Sequence, residues 1–227
     1  MLVASRTSRK GPELNLVHQF LDADFPEPSG CLTRWIFLEP SLVSGFPDIV
    51  IVEFDIGTAK RWPESRKNLR PLDLRIAHFI SNYPDASIQT IFSGFGSRTS
   101  SALKRLESAG IVRESESKFS TLPVDTIFAV RRIVAIEAKM KNIKRGFDQA
   151  LNNTWFASES YLLIPNRTSN SSVIQKAKRF GIGIINSDGW LNSPQITARV
   201  EEVPKSYGSW LFNEWAWQSL IHESVKP

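Results

Sequence analysis

The sequence predicts an α/β protein, a mixed central sheet flanked by helices and interrupted by a small domain of three helices and a hairpin. Apolar runs rich in branched residues recur at 32–38, 49–54, 133–140, 161–164 and 183–185, the composition of buried strands. From Ile133 onward these runs alternate with helical patterns, the β-α-β-α-β order that places helices over a sheet. Between Pro71 and Pro123 the pattern switches to helices and a hairpin, which marks a separate domain.

Residues 1 to about 11 are polar and basic and read as a loose tail. Leu14, Val17, Phe20 and Leu21 at helical spacing predict a helix from Pro12 to about Asp22, with Pro12 suited to its first turn. After a loop over 25–30, Leu32 to Leu38 is a strand rich in aromatic and branched residues. Ser44-Gly-Phe-Pro-Asp48 is a turn, and Ile49 to Phe54 is a buried strand with Asp48 at its start. The segment 57–71 holds Lys60, Arg61, Arg66, Lys67 and Arg70 with two prolines, the composition of a connector or a phosphate-tracking arm.

The domains are therefore 1–70, 71–123 and 124–227, with the first and last forming one core and the aromatic C-terminal helix counted with that core. Within 71–123, helices over 72–82, 87–92 and 97–109 are ended by Gly110 and followed by a hairpin through Ser115-Glu-Ser117. This order resembles a winged helix-turn-helix, whose third helix would be the recognition helix. Thr126 to Val130 and Ile133 to Met140 read as strands, Gly146 to about Ala157 as a helix, Tyr161 to Ile164 as a strand, and Val173 to Phe180 as a helix. Gly183 to Ile185 is a last short strand ahead of the turn Ser187-Asp-Gly189. Tyr207 to His222 carries Trp210, Phe212, Trp215 and Trp217, aromatic spacing that suits a core helix, a dimer or partner surface, or stacking on unpaired bases.

Composition bounds the function. Lys and Arg exceed Asp and Glu by 28 to 23, and a pI near 9.4 suits a polyanionic partner. Cys31 is the only cysteine and His18, His78 and His222 are scattered, which excludes an internal disulfide and a cysteine zinc site. No apolar run approaches the ~18 residues of a membrane span, and the N-terminus lacks the apolar centre of a signal peptide. The expectation is a cytoplasmic protein in a reducing compartment with no membrane partner.

The chemistry concentrates at Ile133-Val-Ala-Ile-Glu-Ala-Lys-Met140. Strand alternation puts Glu137 and Lys139 on one face, at the end of a run whose first half is apolar. Ionised groups beside a core cost several kcal/mol unless paired or bound to a metal. Outside 71–123, the order is a helix with Glu13, Pro47-Asp48 before a strand, Glu137-Ala-Lys139 ending another, and Gln149 in the next helix.

This order resembles the PD-(D/E)XK nuclease superfamily over roughly Pro12 to Gly189. The resemblance implies a restriction-endonuclease-like core and a Mg²⁺-dependent endonuclease acting on DNA, with Mn²⁺ as a possible substitute. Asp48, Glu137 and the Ala138 carbonyl would hold the cation, Lys139 would serve the attacking water, Glu13 would help a second cation, and Gln149 would orient water or phosphate. Phosphodiester hydrolysis needs a hard cation to neutralise developing charge and a water acidic enough to attack, which a nearby amine can position. The simpler alternative for Glu13 is an acidic residue favoured at a helix N-terminus, and for Gln149 an exposed helical glutamine. Glu53 has the opposite parity to Asp48 and reads as a solvated or structural carboxylate unless a bulge intervenes. The long gap between Asp48 and Glu137 departs from the simplest family pattern, and a domain inserted between neighbouring strands accounts for it.

Arg98, Thr99, Ser101, Lys104, Arg105 and Ser108 are the polar positions of the recognition helix, with Arg113 and Lys118 near the wing. Together with Lys141, Lys144 and Arg145 they are the candidate DNA contacts, and the duplex is the expected partner. A homodimer would supply two active sites for cutting both strands, and a partner protein is the other possibility. One rival reading keeps the scaffold as a DNA-binding regulator or assembly factor without cleavage. The other keeps the enzyme and changes the substrate to RNA or branched DNA.

Overall fold

A computed structural model describes residues 2–4, 11–23, 25, 27–28, 30–40, 47–186 and 189–224. In chain order the elements are β1 (Leu2–Ala4), α1 (Pro12–Leu21), β2 (Thr33–Leu38), β3 (Ile49–Phe54), α2 (Ile56–Ala59), α3 (Pro71–Asn82), β4 (Ala86–Ser87), α4 (Ile88–Phe95) and α5 (Thr99–Ser108). They continue as β5 (Val112–Ser115), β6 (Lys118–Thr121), α6 (Val124–Ile127), β7 (Val130–Ala138), α7 (Ile143–Asn153), β8 (Glu159–Leu163), α8 (Ser171–Phe180), β9 (Gly183–Ile185) and α9 (Tyr207–Ser224). Two compact units result, Met1–Phe54 with Val130–Lys205, and Asp55–Ala129 with Ser206–Pro227.

The first unit is a mixed sheet in the order β1-β2-β3-β7-β8-β9. β2, β3 and β7 are antiparallel, whereas β1 runs parallel to β2, and β7, β8 and β9 are mutually parallel through the crossover helices α7 and α8. One apolar cluster joins Leu16, Val17 and Phe20 of α1 to Ile49, Ile51, Val134, Ile136 and Ala138. A second joins Phe147 and Ala150 of α7 and Ala177 of α8 to Leu162 and Ile184. Both α1 and α7 pack on β7, and its middle, Ile133 to Ile136, is wholly apolar, with the charged Arg131, Arg132 and Glu137 toward its ends.

The second unit carries α3, α4 and α5 around Leu74, Ile76, Ile80, Ile91, Leu103 and Leu106, all buried, with a small sheet in the order β4-β6-β5. Glu116 and Ser117 have φ of 52° and 60°, the two positive values of a tight hairpin turn whose twist matches its strands. α9 belongs to this unit and buries Trp210, Phe212 and Trp217. Trp210 stands edge-on to Phe128 and Trp217 edge-on to Trp62. The buried placement of these rings is what aromatic residues at helical spacing most often mean.

Several expectations need correction. Leu2–Ala4 is an edge strand rather than tail, and residues 5–10, Ser44–Phe46 and 187–188, on which the tail and two turns were read, lie outside the described residues. Thr126 and Ile127 end a helical turn rather than begin a strand. Pro123 fixes the entry, and Thr126 donates from both its N–H and Oγ1 to the Pro123 carbonyl. The compact units part at 54/55 and 129/130, outside the expected limits at Pro71 and Pro123, and α9 is grouped with the second unit. The basic segment is not a free arm: 64–68 is a 3-10 helix in which Arg66 is fully buried.

Candidate functional site

The site is built at the end of β7. The Ile49↔Ile136 pair sets the antiparallel register, so Asp48 and Glu137, one step further along, face each other across the two strands. Like charges at facing positions repel. The Ala138 N–H donates to Asp48 Oδ2 at 2.7 Å and locks that carboxylate to the strand end. Glu137 is 2% exposed and points to the α7 side, where Asn153 Nδ2 donates to its Oε1 at 2.9 Å. Its Oε2 is buried and accepts from no N–H or hydroxyl among the described residues, so that its link to Asp48 can only be a shared proton.

Lys139 lies one residue past the strand, where it can be reached from both layers. Its Nζ donates to the Ala138 carbonyl at 2.9 Å and lies 3.6 Å from Asp48, 3.8 Å from Glu13 and 4.0 Å from Glu137. α1 brings Glu13 to this point from its first turn, with its side chain half exposed. The sequence-predicted set of Glu13, Asp48, Glu137, Ala138 and Lys139 thus converges on one ammonium.

The electrostatics follow from burial. Desolvation first, and the Asp48 carboxylate second, push the Glu137 carboxyl up to about 8. Burial also raises Asp48, against the opposing pull of the Lys139 ammonium and the Ala138 N–H. Two carboxylates are held together with less positive charge than their ionised forms require.

α7 supplies the rest. Asn142 starts it in the left-handed conformation (φ 54°) and accepts from the Arg145 N–H at 3.3 Å, an N-cap that turns the chain sharply after Lys139. Glu13, Lys139, Lys141, Asn142, Arg145 and Gln149 line a cleft of about 200 Å³. Gln149 Oε1 is buried there without a partner. Lys141, Lys144 and Arg145 are exposed around the start of α7.

Sequence reasoning missed Asn142, Asn153 and Gly146. Asn153 lies one helical turn beyond Gln149, a spacing that could have revealed it. Gly146 lets α7 approach: a Cβ there would collide with Lys139 Cγ and come within 2.8 Å of Leu162 Cδ1. In an open helix glycine to alanine gains about 1 kcal/mol. Gly146→Ala is expected instead to lose about 1–3 kcal/mol by overpacking, read as a lower urea midpoint at unchanged slope.

The candidate DNA contacts divide. Arg98, Ser101, Lys104, Ser108, Arg113 and Lys118 are exposed. Thr99 is not available as a surface contact, being fully buried with its Oγ1 donating to the Gly96 carbonyl at 2.7 Å. Arg105 is committed to the buried Asp73, donating from Nε at 2.8 Å and Nη2 at 2.7 Å, so it ties α5 to α3. Glu53 is structural as its parity implied: it pairs with Arg132 at 3.1 Å, and Arg132 pairs with Glu159 at 2.5 Å.

Among the described residues, no three His, Cys, Asp or Glu side chains converge as a complete metal-ligand set, and no helix is long and apolar enough to cross a membrane. Comparison with known proteins returns no matching family model, no matching curated protein and no matching solved structure.

Proposed function

We propose that the chain is a metal-dependent DNA endonuclease of the PD-(D/E)XK type, with an inserted winged-helix domain that binds duplex. The observation that carries this reading is the convergence of Asp48, Glu137 and Lys139 at one strand end, with a buried Glu137 oxygen that has no donor. The residues fit Mg²⁺, because two facing carboxylates in a poorly solvated setting favour a cation, and Mg²⁺ characteristically takes one or two carboxylates and keeps several waters. Asp48 and Glu137 would hold it. Bound there, the ion would supply an acidic water and neutralise charge on the phosphate.

The remaining work falls to the chain's own groups. Lys139 Nζ orients the attacking water and offsets charge on the phosphoryl oxygens. Gln149 Oε1 can accept from that water, Asn153 holds Glu137 in orientation, and Lys141, Lys144 and Arg145 track backbone phosphates. The order α3, β4, α4, α5, then the β5–β6 hairpin supports the winged-helix reading, and the exposed Ser101 and Lys104 on α5, with Arg98 just before it, suit a duplex groove.

The test is cleavage of labelled supercoiled, linear, single-stranded and branched DNA with Mg²⁺ or Mn²⁺, with binding measured separately. Wild type is expected to cut, and Asp48→Ala and Lys139→Ala to bind normally while cutting at least about 100-fold more slowly. Equal binding by all three proteins with no cleavage of any substrate would favour the rival, a DNA-binding regulator that the exposed Arg98, Ser101 and Lys104 also suit.

A further inference from the structure

We propose that Lys139 is an internal stand-in for the divalent cation, its ammonium occupying the ion's place until it swings out toward Gln149 Oε1 to let the ion enter. The inference rests on the nuclease reading of the site and adds a regulation to it, an order of events in which the ion must displace the lysine.

Four contacts define the stand-in. The ammonium lies within 3.6–4.0 Å of Asp48, Glu13 and Glu137, and it donates to the Ala138 carbonyl, the neutral oxygen that resemblance assigns to the ion. A monovalent group so placed partly balances the carboxylates but leaves Glu137 Oε2 without a donor. A dication placed against the same oxygens would meet a like charge at close range, so both cannot stay.

The stem and the cleft say how the lysine leaves. Gly146 packs so closely on Lys139 Cβ and Cγ that this part of the chain is held, and only the carbons beyond it are free to swing. The cleft beside it offers about 200 Å³, and one of its lining atoms, Gln149 Oε1, is a buried neutral acceptor with no donor. A lysine ammonium carries three donors and suits that vacancy. In this outward position Nζ stands in the cleft rather than among the carboxylates, where it can meet a water or a phosphate. Entry of the ion and readiness of the lysine are then one event.

Competition of this kind weakens the apparent ion affinity by the fraction of molecules whose lysine is already out. Titration calorimetry of the full chain with Mg²⁺, and with Mn²⁺, in the absence of nucleic acid measures that effect without any activity assay. Lys139→Met is expected to bind about tenfold more tightly than wild type, as for an outward population of about one in ten. Gln149→Leu, which removes the outward acceptor, is expected to bind several-fold more weakly. In the Lys139→Met background the same Gln149→Leu change is expected to cost much less, because no lysine is left for that oxygen to hold outward.

Circular dichroism checks that each variant folds, and if Lys139→Met does not, Lys139→Gln takes its place. If wild type binds the ion and the lysine-free variant binds no tighter, or if Gln149→Leu weakens both backgrounds equally, the stand-in is overturned and the nuclease reading stands. If neither wild type nor the lysine-free variant binds a divalent ion, the metal-dependent reading fails and takes this inference with it.

Discussion

Replacing Arg66 with alanine is expected to destabilise the second unit by about 3–5 kcal/mol, the cost of breaking a buried ion pair from one side. Arg66 has no exposed surface, and its guanidinium grips Glu214 of α9 in a fork, Nε to Oε2 at 2.9 Å and Nη2 to Oε1 at 2.6 Å. Nη2 also donates to the Ile127 carbonyl at 2.5 Å, and the group lies 3.5 Å from the centre of the Trp62 ring, which in turn meets Trp217. One side chain thus joins the 64–68 turn, the end of α6 and the middle of α9. Without it, Glu214, 4% exposed, keeps only the Asn213 amide as a donor among the described residues. Domains are stable by only about 5–15 kcal/mol, so the loss takes a large share of the total. Denaturant titration followed by tryptophan fluorescence reads it, since Trp62, Trp210 and Trp217 all belong to this unit. Adding Glu214→Leu to Arg66→Met should recover most of the loss, because a buried pair replaced by apolar groups is often close to neutral. A loss under about 1 kcal/mol for Arg66→Ala, the size expected of a surface pair, would instead return Arg66 to the role of a solvated or phosphate-facing cation.

The Arg66 case also marks where reading the sequence stops. Local signals carried the α1 helix, β2, β3 and the placement of Asp48 at a strand start, because period, proline and branched composition act within one element. The gathering of Asp48, Glu137 and Lys139 was expected from a resemblance of motif order, which no local signal within one element supplies. Arg66 was not, since a basic run between prolines has the same composition whether it is solvated or has one member buried against a glutamate far along the chain. Arg105 hid its partner Asp73 for the same reason. Thr99 was closer to hand: it stands three and four residues before Ala102 and Leu103, so helical spacing already put it on the buried face of α5. The strand expected at 126–130 followed Ile127, Phe128 and Val130, and the turn set by Pro123 overrode their propensity. Gly146 carried no local sign at all, because its reason for being glycine is a lysine on another element.

Without a divalent ion, the protein is expected to lose stability as pH rises from about 5 to about 8, and Glu137 sets the sign. Its carboxyl ionises near the usual 4.5 in the unfolded chain and only near 8 in the folded one, where burial first and the Asp48 charge second disfavour the anion. Between those values the folded state holds the extra proton, so raising the pH favours unfolding. The raised Asp48 acts in the same direction over its own window. His78 acts oppositely: burial lowers its pKa, so its unfolded form takes up the proton first, and stability rises with pH up to about its ordinary 6.5. Glu137→Gln separates the two over the upper part of the range, because it removes the Glu137 contribution and leaves those of Asp48 and the histidine. In thermal melts the variant should therefore stay level or gain stability where wild type falls, and near pH 8 should melt higher than ion-free wild type. Saturating Mg²⁺ should raise the wild-type melting temperature strongly near pH 8 and little near pH 5, and should do neither to the variant, since only the ionised carboxylate binds the cation. A wild-type profile that matches Glu137→Gln at every pH would mean that the facing carboxylates are already balanced within the protein. The unpartnered Glu137 oxygen would then no longer argue for an ion, and the nuclease reading would lose the observation that carries it.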